Sequence, residues 1–341
     1  MQNFDAKSLM YEGSVSRDLS LAEIFQLGYY WETKILLTGV KLELFTMLDG
    51  KELSAGEIAH RIQADADRLQ LLMNALVAMR VLTKQADRFA NTPVAQTYLV
   101  KTATQYVGHL LVLQDAEWDN WGRLEETIRT GQSPVTRHLF ETNPGLGVNV
   151  LSVLDRIGQQ SGPELARRLK LDSLTTLLDL GGGAATNAIA FCQVYPSLKA
   201  TVFDLPDTLK MAERRVKEAG LESRIALIAG DFNRNAWGGP YDAVLMSDIL
   251  HYQGIEANTH LVKQAFLHLR PGGRLIIKDR FLDESGTSPA WATAFAVHIL
   301  VNTEQGRCFK VSEAIDWMTK AGFQSVSEVE RTAVVQGFKY E

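Results

Sequence analysis

The chain has 341 residues and a formal net charge of −5, with 46% hydrophobic and 22% charged residues. At about 150 residues per domain, this length predicts two globular domains. The mild acidity argues against a protein that mainly binds nucleic acid, which needs clustered Lys and Arg. The two cysteines, Cys192 and Cys308, cannot build a disulfide framework. We find no signal peptide and no apolar run of about 18 residues, so we expect a cytoplasmic protein without a membrane span.

The N-terminal half is predicted to be helical. Apolar residues recur at helical spacing over residues 20–48. Ser54 and Glu57 have the spacing of a capping box, and Asp65 is a candidate N-cap for the next helix. The segment TKQADRFANT then predicts a β-wing, and further helices are predicted over 105–130 and 134–168. Helices followed by a wing are typical of a winged-helix domain.

The period changes near residue 174, where short apolar runs begin to alternate with helical segments. The runs are LTTLLDL, ATVFDL, RIALIAG, YDAVLMSDIL and RLIIKD, and a PGG sequence is expected to end the helix before the last one. This alternation predicts a parallel, doubly wound sheet. The final segment, FQSVSEVERTAVVQGFK, predicts an antiparallel hairpin. We therefore expect three regions: 1–104, 105–170 and 171–341.

A glycine turn follows the first predicted strand. Open α/β sheets bind ligands in the crevice at this end of the strands, and glycines let the backbone approach a ligand closely. Asp204 ends the second strand, where a carboxylate can accept both hydroxyls of a ribose, and Asp231 with Phe232 follows the third. The NAD fingerprint is absent, because Thr186 stands where its third glycine would be. The pattern indicates an adenosine-type ligand other than a dinucleotide.

The motifs LLDLGGG, YPSLKATVFDLP, GDF, SDILHYQ and LRPGGRLIIKD occur in this order. In this they resemble the class I S-adenosylmethionine methyltransferases, specifically the caffeic-acid and hydroxyindole type of small-molecule O-methyltransferase, over essentially the whole chain. The resemblance implies an α/β Rossmann-like doubly wound sheet with a C-terminal antiparallel hairpin, preceded by a mostly α winged-helix dimerisation domain, and hence a homodimer. It implies S-adenosylmethionine as the cofactor. The expected cofactor-binding residues are Asp179, Gly181, Gly182, Gly183, Asp204, Leu205, Gly230, Asp231, Phe232 and Ser247.

His251 follows the fourth strand at the crevice end of the sheet. A histidine has a pKa suited to removing the proton of an acceptor hydroxyl, and the family places its catalytic histidine at this position. The family also implies that Asp279 orients this base, although Asp279 could instead be a surface acid paired with Lys278 or Arg280. Plant-type members carry a second Glu where this chain has Cys308.

The acceptor pocket is expected to be lined by aromatic and polar side chains. Tryptophan and phenylalanine suit a flat aromatic acceptor, although each could equally belong to an ordinary core. His298 lies on a predicted stripe with Phe295 and Asn302, and two histidines without a third ligand do not predict a metal site. The expected substrate-binding residues are Trp118, Trp121, Phe140, Phe295, His298, Ile299, Asn302 and Cys308.

We therefore expect an S-adenosylmethionine-dependent O-methyltransferase acting on a hydroxyl of a small aromatic metabolite. Relatives of this architecture also methylate carbon, or use the cofactor for hydroxylation or decarboxylation, and the missing second acid leaves these alternatives open. A third alternative is a winged-helix, ligand-sensing transcriptional regulator. Residues 54–100 carry five basic and four acidic side chains, too little positive charge for several phosphate contacts. We therefore predict a small-molecule substrate, a homodimer, and no nucleic-acid partner.

Overall fold

The computed structural model describes residues 18–135 and 142–340. These residues divide into two compact units, one of residues 18–119 and one that begins at Asn120. Within the two described stretches, no helix is both long and apolar enough to cross a membrane.

The first unit is mostly helical and contains a small three-stranded sheet. Its helices α1 to α7 are Leu21–Leu27, Trp31–Lys41, Leu44–Met47, Ala55–Ile62, Ala66–Ala78, Pro93–Tyr98 and Gly108–Ala116. Its strands β1 to β3 are Leu53–Ser54, Leu82–Gln85 and Arg88–Asn91, in the spatial order β1, β3, β2. Strands β2 and β3 are antiparallel and form the predicted wing.

The helix starts in this unit follow from local hydrogen bonds. Glu57 donates its backbone N–H to Ser54 Oγ at 3.2 Å, and the Glu57 carboxylate accepts from the Ser54 backbone N–H at 2.7 Å. This is the predicted capping box, which satisfies two donors that a helix start leaves unpaired. Asp65 caps α5 by accepting from the Arg68 backbone N–H at 2.9 Å. Both predicted caps are confirmed.

The second unit contains the large sheet. Helix α8, Trp118–Gly122, runs across the boundary between the units. The later helices α9 to α15 are Leu124–Thr130, Pro144–Leu169, Thr186–Val194, Pro206–Glu218, Ile255–His268, Ala290–Asn302 and Val311–Ala321. Strands β4 to β10 are Thr176–Leu180, Lys199–Asp204, Ile225–Ala229, Tyr241–Ser247, Leu269–Lys278, Gln324–Glu330 and Val334–Phe338.

The seven strands lie in the order β6, β5, β4, β7, β8, β10, β9. Neighbours from β6 to β8 are parallel, and β10 is antiparallel to both β8 and β9. The chain builds outward from β4 to β6 and then returns to the other side of β4 with β7. The strand order therefore reverses between β4 and β7, and the crevice of such a sheet lies at the carboxyl ends of these strands. The predicted fold class and terminal hairpin are confirmed.

One local expectation is wrong. The PGG sequence does not end a helix, because α13 ends at His268 and β8 already begins at Leu269. Pro271, Gly272 and Gly273 lie inside the strand, where the pairing with β7 shifts register. Proline and glycine within a strand are typical of such irregularities.

The side chains of β4 alternate between two cores. Leu177 packs on one face with residues of α11 and α12, whereas Leu178 and Leu180 pack on the other face with residues of α13 and α15. A sheet buried on both faces holds its strand ends in fixed positions, which is what a site at those ends requires.

This core makes a prediction about α13. Leu261 is fully buried and Leu267 on the same helix is 67% exposed. We expect Leu261→Ala to lower the free energy of unfolding by about 2–5 kcal/mol, because it leaves a cavity. The matched variant Leu267→Ala should change it by less than about 0.5 kcal/mol. Urea unfolding of both variants measures the difference, and equal losses would contradict this packing.

Candidate active site

The glycine turn directly follows β4. Gly181 and Gly183 have φ of 67° and 58°, the left-handed region that favours glycine. A Cβ on Gly181 would lie 2.7 Å from Ile249 Cγ2 and 3.5 Å from the Phe232 ring, and one on Gly182 would lie 2.7 Å from Asp179 Cγ. Larger residues would therefore push into the surrounding side chains. The turn therefore presents backbone without side chains at the carboxyl end of β4.

Asp204 joins this turn to the end of β5. Its Oδ2 accepts from the Gly183 backbone N–H at 2.8 Å, and its Oδ1 accepts from the Leu205 backbone N–H at 2.7 Å. Burial raises the pKa of the Asp204 carboxyl, while these two N–H groups act in the opposite direction. Each carboxylate oxygen keeps acceptor capacity for a further donor.

The side chain of Asp179 packs beneath Gly182 of the glycine turn, on the side of α11. Its side chain is fully buried, and its Oδ2 accepts from the Ala188 backbone N–H at 3.2 Å near the start of α11. Its Oδ1 has no hydrogen-bond partner among the described residues. Burial is the main reason why the pKa of Asp179 rises to about 7, with a smaller contribution from Asp204. The carboxyl therefore supports the turn rather than presenting itself to the crevice.

The third strand end contributes a compact loop. Asp231 Oδ1 accepts from the Asn233 backbone N–H at 2.9 Å, and the Asp231 N–H donates to Asn235 Oδ1 at 2.9 Å. A Cβ on Gly230 would lie 2.5 Å from the Phe203 ring, so the loop packs closely on β5. Phe232 is partly buried beside the glycine turn, and its carbonyl accepts from Trp237 Nε1 at 2.9 Å.

The end of β7 carries a charged cluster beside Ser247. Ser247 Oγ donates to Asp248 Oδ2 at 3.1 Å, and the same carboxylate pairs with Lys278 and with Arg280 Nε, the latter at 2.9 Å. Asp248 has φ of 57°. Burial alone would raise the pKa of the Asp248 carboxyl, but Lys278 and Arg280 hold it well below its usual range.

His251 lies in a short 3₁₀ turn, Leu250–Tyr252, and is 3% exposed. Its Nδ1 lies 2.5 Å from Oδ1 of the buried Asp279, which directly follows β8. The same carboxylate accepts backbone N–H groups from Arg280 at 2.7 Å and from Leu250 at 3.0 Å. Because an ionised carboxylate only accepts, it selects the tautomer with the proton on Nδ1. Nε2 then carries the lone pair.

Cys308 is near this pair and 5% exposed. Burial, together with the negative charge of Asp279, raises the pKa of the Cys308 thiol to about 12. The residue is therefore a neutral thiol at physiological pH and neither a second acid nor a nucleophile.

Helix α14 presents a row of rings beside His251. The Phe295 ring meets the imidazole edge-on at 5.2 Å between centroids, and His298 stacks on Phe295 at 5.5 Å. Asn302 Nδ2 lies 3.2 Å from His298 Nδ1, while Asn302 Oδ1 accepts from Asn120 Nδ2 at 2.8 Å. This chain of amides makes His298 Nδ1 an acceptor. Burial is the main reason why the pKa of His298 falls to about 4, and protonation of nearby His251 acts in the same direction, so His298 is neutral.

The remaining expected substrate residues lie in different surroundings. Trp121 is 39% exposed and faces His298 at 6.3 Å between ring centroids. Ile299 is 1% exposed and packs toward Gly306, so it supports this wall from behind. Trp118 belongs to the first unit, where Lys34 Nζ lies 4.3 Å above its ring. Phe140 lies outside the described residues.

Sequence reasoning missed the charged cluster as part of the site. Asp248 and Lys278 flank expected site residues, and Arg280 directly follows Asp279, yet none was singled out for a role. The missing signal was strand register, because Ser247 lies opposite Lys278 in the β7–β8 pair. Trp291 was also missed, and its ring lies 5.0 Å from Arg280 Cζ.

Comparison with known families identifies the chain. Residues 136–324 match the family model of the O-methyltransferase domain, and residues 25–101 match that of the O-methyltransferase dimerisation domain. The chain belongs to the O-methyltransferase family. It is an S-adenosylmethionine-dependent methyltransferase, as its resemblance to the family predicted, and the dimerisation domain supports a homodimer.

Two curated relatives and one solved structure illustrate the similarity. The chain is 29% identical to the tetracenomycin polyketide synthesis 8-O-methyl transferase TcmO of Streptomyces glaucescens, over 90% of this chain and 91% of the relative. It is 29% identical to the 3-hydroxy-5-methyl-1-naphthoate 3-O-methyltransferase of Streptomyces sahachiroi, over 88% of each. The human N-acetylserotonin methyltransferase structure, in complex with S-adenosylmethionine, superposes with a TM-score of 0.81 at 20% identity, covering 96% and 100% of the two chains. That structural likeness shows the fold.

Asp179 generates a prediction about pH. Its folded-state pKa of about 7 exceeds the ordinary value of 3.8, so the stability it contributes is present at low pH and is lost as pH rises through about 7. Asp179→Asn cannot ionise, so its free energy of unfolding relative to wild type should rise by about 3 kcal/mol between pH 5 and pH 8. Urea unfolding of the ligand-free protein at both pH values measures this. A difference that does not change with pH would contradict the assignment.

Proposed function

We propose that the enzyme transfers a methyl group from S-adenosylmethionine to a hydroxyl of a small aromatic metabolite, with His251 as the general base. The observation that carries this proposal is the buried His251–Asp279 pair at the carboxyl ends of β7 and β8. The pair stands on the same edge of the sheet as the glycine turn after β4. A base beside a nucleoside-binding turn is the arrangement that this reaction requires.

The cofactor site is proposed at the ends of β4, β5, β6 and β7. The residues fit such a ligand, since the turn is open to close backbone approach and the Asp204 oxygens can still accept ribose hydroxyls. When bound, S-adenosylmethionine supplies an electrophilic methyl group on its sulfonium. Phe232 offers a ring for the adenine beside Gly181. Other expected contacts lie at the exposed Leu205 and at Gly230, Asp231 and Ser247.

His251 would take the acceptor proton at Nε2. A phenol titrates near pH 10, so its hydroxyl needs a base to become a strong nucleophile near neutral pH. As the proton reaches Nε2, the imidazole becomes a cation, and the Asp279 carboxylate on Nδ1 stabilises that charge. Tyr252 and Phe295 pack against the ring and hold its orientation.

The aromatic nature of the acceptor rests on the rings of α14 and on Trp121 of α8. Phe295 meets the imidazole of His251, His298 stacks on Phe295, and Trp121 faces His298. Flat rings stack favourably on such surfaces. The naphthoate named for the Streptomyces sahachiroi relative is an aromatic hydroxyl compound, which supports the same class here.

The regions 1–104, 105–170 and 171–341 are proposed to serve dimerisation, covering of the pocket and catalysis. Over residues 19–31 the first unit exposes several large apolar side chains, which favours burial against a second copy. They are Leu19, Leu21, Ile24, Phe25, Leu27, Tyr29, Tyr30 and Trp31. Helix α5 begins at Asp65 with Asp67 in its first turn, and two acids there disfavour phosphate contacts. We therefore propose no nucleic-acid partner.

The cofactor site predicts a loss of binding in Asp204→Asn. The amide would place an N–H₂ group where the carboxylate now accepts backbone N–H groups and would remove acceptors for the ribose, so we expect affinity for S-adenosylmethionine to fall by about tenfold or more. The matched control is Asp207→Asn, an exposed acid on α12 that pairs with Lys210. Calorimetry measures both dissociation constants. Equal affinities for the Asp204 variant and the wild type would remove Asp204 from the site.

If His251 is the general base, its removal should lower kcat without weakening the binding of S-adenosylmethionine. His251→Ala should keep its affinity for S-adenosylmethionine within about threefold and lose about 10²- to 10⁴-fold in kcat. His260→Ala, at an exposed position on α13, serves as the control. Turnover is followed with labelled methyl groups and hydroxylated aromatic acceptors. A His251 variant that keeps more than a tenth of wild-type kcat would refute the base role.

A further inference from the structure

The guanidinium of Arg280 is only partly used within the protein. Its Nε donates to Asp248 Oδ1 at 2.9 Å. In the part of the chain that the structure describes, Nη1 and Nη2 donate to no acceptor. The side chain is 36% exposed. Arginine normally uses its planar fork for two parallel hydrogen bonds to a carboxylate, so the outer edge of this guanidinium is available for a ligand.

This guanidinium stands on the same wall as the proposed base. Arg280 Cζ lies 5.0 Å from the centroid of the Trp291 ring and 5.8 Å from that of Phe295. Both rings belong to α14 and are four residues apart, so they share one face of the helix. Phe295 in turn meets the imidazole of His251. Stacking on these rings holds the guanidinium in place while its in-plane N–H groups remain able to donate.

The acids near Arg280 already have other partners. Asp248 and Asp279 balance Lys278 and Arg280 among the ionised side chains of this group. Asp279 is already bonded by His251 and by two backbone N–H groups. A carboxylate on the acceptor would match the fork of Arg280.

We propose that Arg280 determines acceptor specificity by binding a carboxylate through Nη1 and Nη2, so that the acceptors are hydroxylated aromatic acids. This inference rests on the proposed function, because it assigns the substrate class of the same site. Arg280 binds and orients the acid, and the proton of the hydroxyl still goes to His251.

The experiment compares matched acids and amides as acceptors. The probes are 3-hydroxybenzoate, 4-hydroxybenzoate and 6-hydroxy-2-naphthoate, each with its primary amide, and transfer of labelled methyl from S-adenosylmethionine gives kcat and KM. We expect wild type to prefer at least one acid over its amide by about tenfold or more in kcat/KM. Arg280→Gln should lose about 10- to 100-fold on that acid, mainly through KM, and less than about threefold on the amide. Arg280→Lys should recover part of the loss.

Arg270→Gln is the matched control, since Arg270 also pairs with one carboxylate, that of Asp242, but at the start of β8. It should leave the preference for acids unchanged. Equal losses on acids and amides in Arg280→Gln would mean that the residue only supports the wall, and would overturn the proposal. Failure of every acid to be methylated or preferred, while calorimetry shows that the wild type binds S-adenosylmethionine, would also overturn it. Failure to bind the cofactor would instead reject the proposed function itself.

Discussion

The hydrogen bond between His251 and Asp279 is the constraint on which the site depends. Both side chains are buried, and a buried carboxylate is costly unless donors surround it. Asp279 receives three donors, namely His251 Nδ1 and the backbone N–H groups of Leu250 and Arg280. These donors come from the segments that follow β7 and β8. The pair therefore exists only if these two strands lie side by side and end at the same level.

The parallel register of β7 and β8 meets this condition and has a second consequence. Ser247 lies opposite Lys278, so the residues after β7 meet those after β8 in sequence. Asp248, the first residue after β7, pairs with Lys278 and Arg280. Three residues later, His251 contacts Asp279. A shift of one residue would turn Ser247 or Lys278 to the other face of the sheet and would displace the segments that follow. One register thus sets both the proposed base and the charged cluster beside it.

Features at strand ends could be read from the sequence because they depend on local order. The alternation of strands and helices, the glycine turn, Asp204 and His251 each follow from a strand that stops at a known residue. Burial and partner choice could not be read in the same way. Asp179 is on the same strand as the turn, but only packing against α11 shows that its carboxyl is buried. Arg280 was visible only as a possible surface partner of Asp279, and its place over Trp291 depends on how α14 packs.

Cys308 stands where plant-type members of the family carry a second Glu, although the proposed base, His251, is present. Its thiol is neutral because burial and Asp279 raise its pKa to about 12. Among the described residues, Asp279 is the one carboxylate hydrogen-bonded to His251, so in the proposed mechanism it would stabilise the imidazolium alone. A second buried acid near the proposed base would add negative charge where the proposed acidic acceptor would approach. A neutral thiol in that position is compatible with the proposed anionic acceptor, and the guanidinium of Arg280 near the Phe295 ring supplies a matching cation.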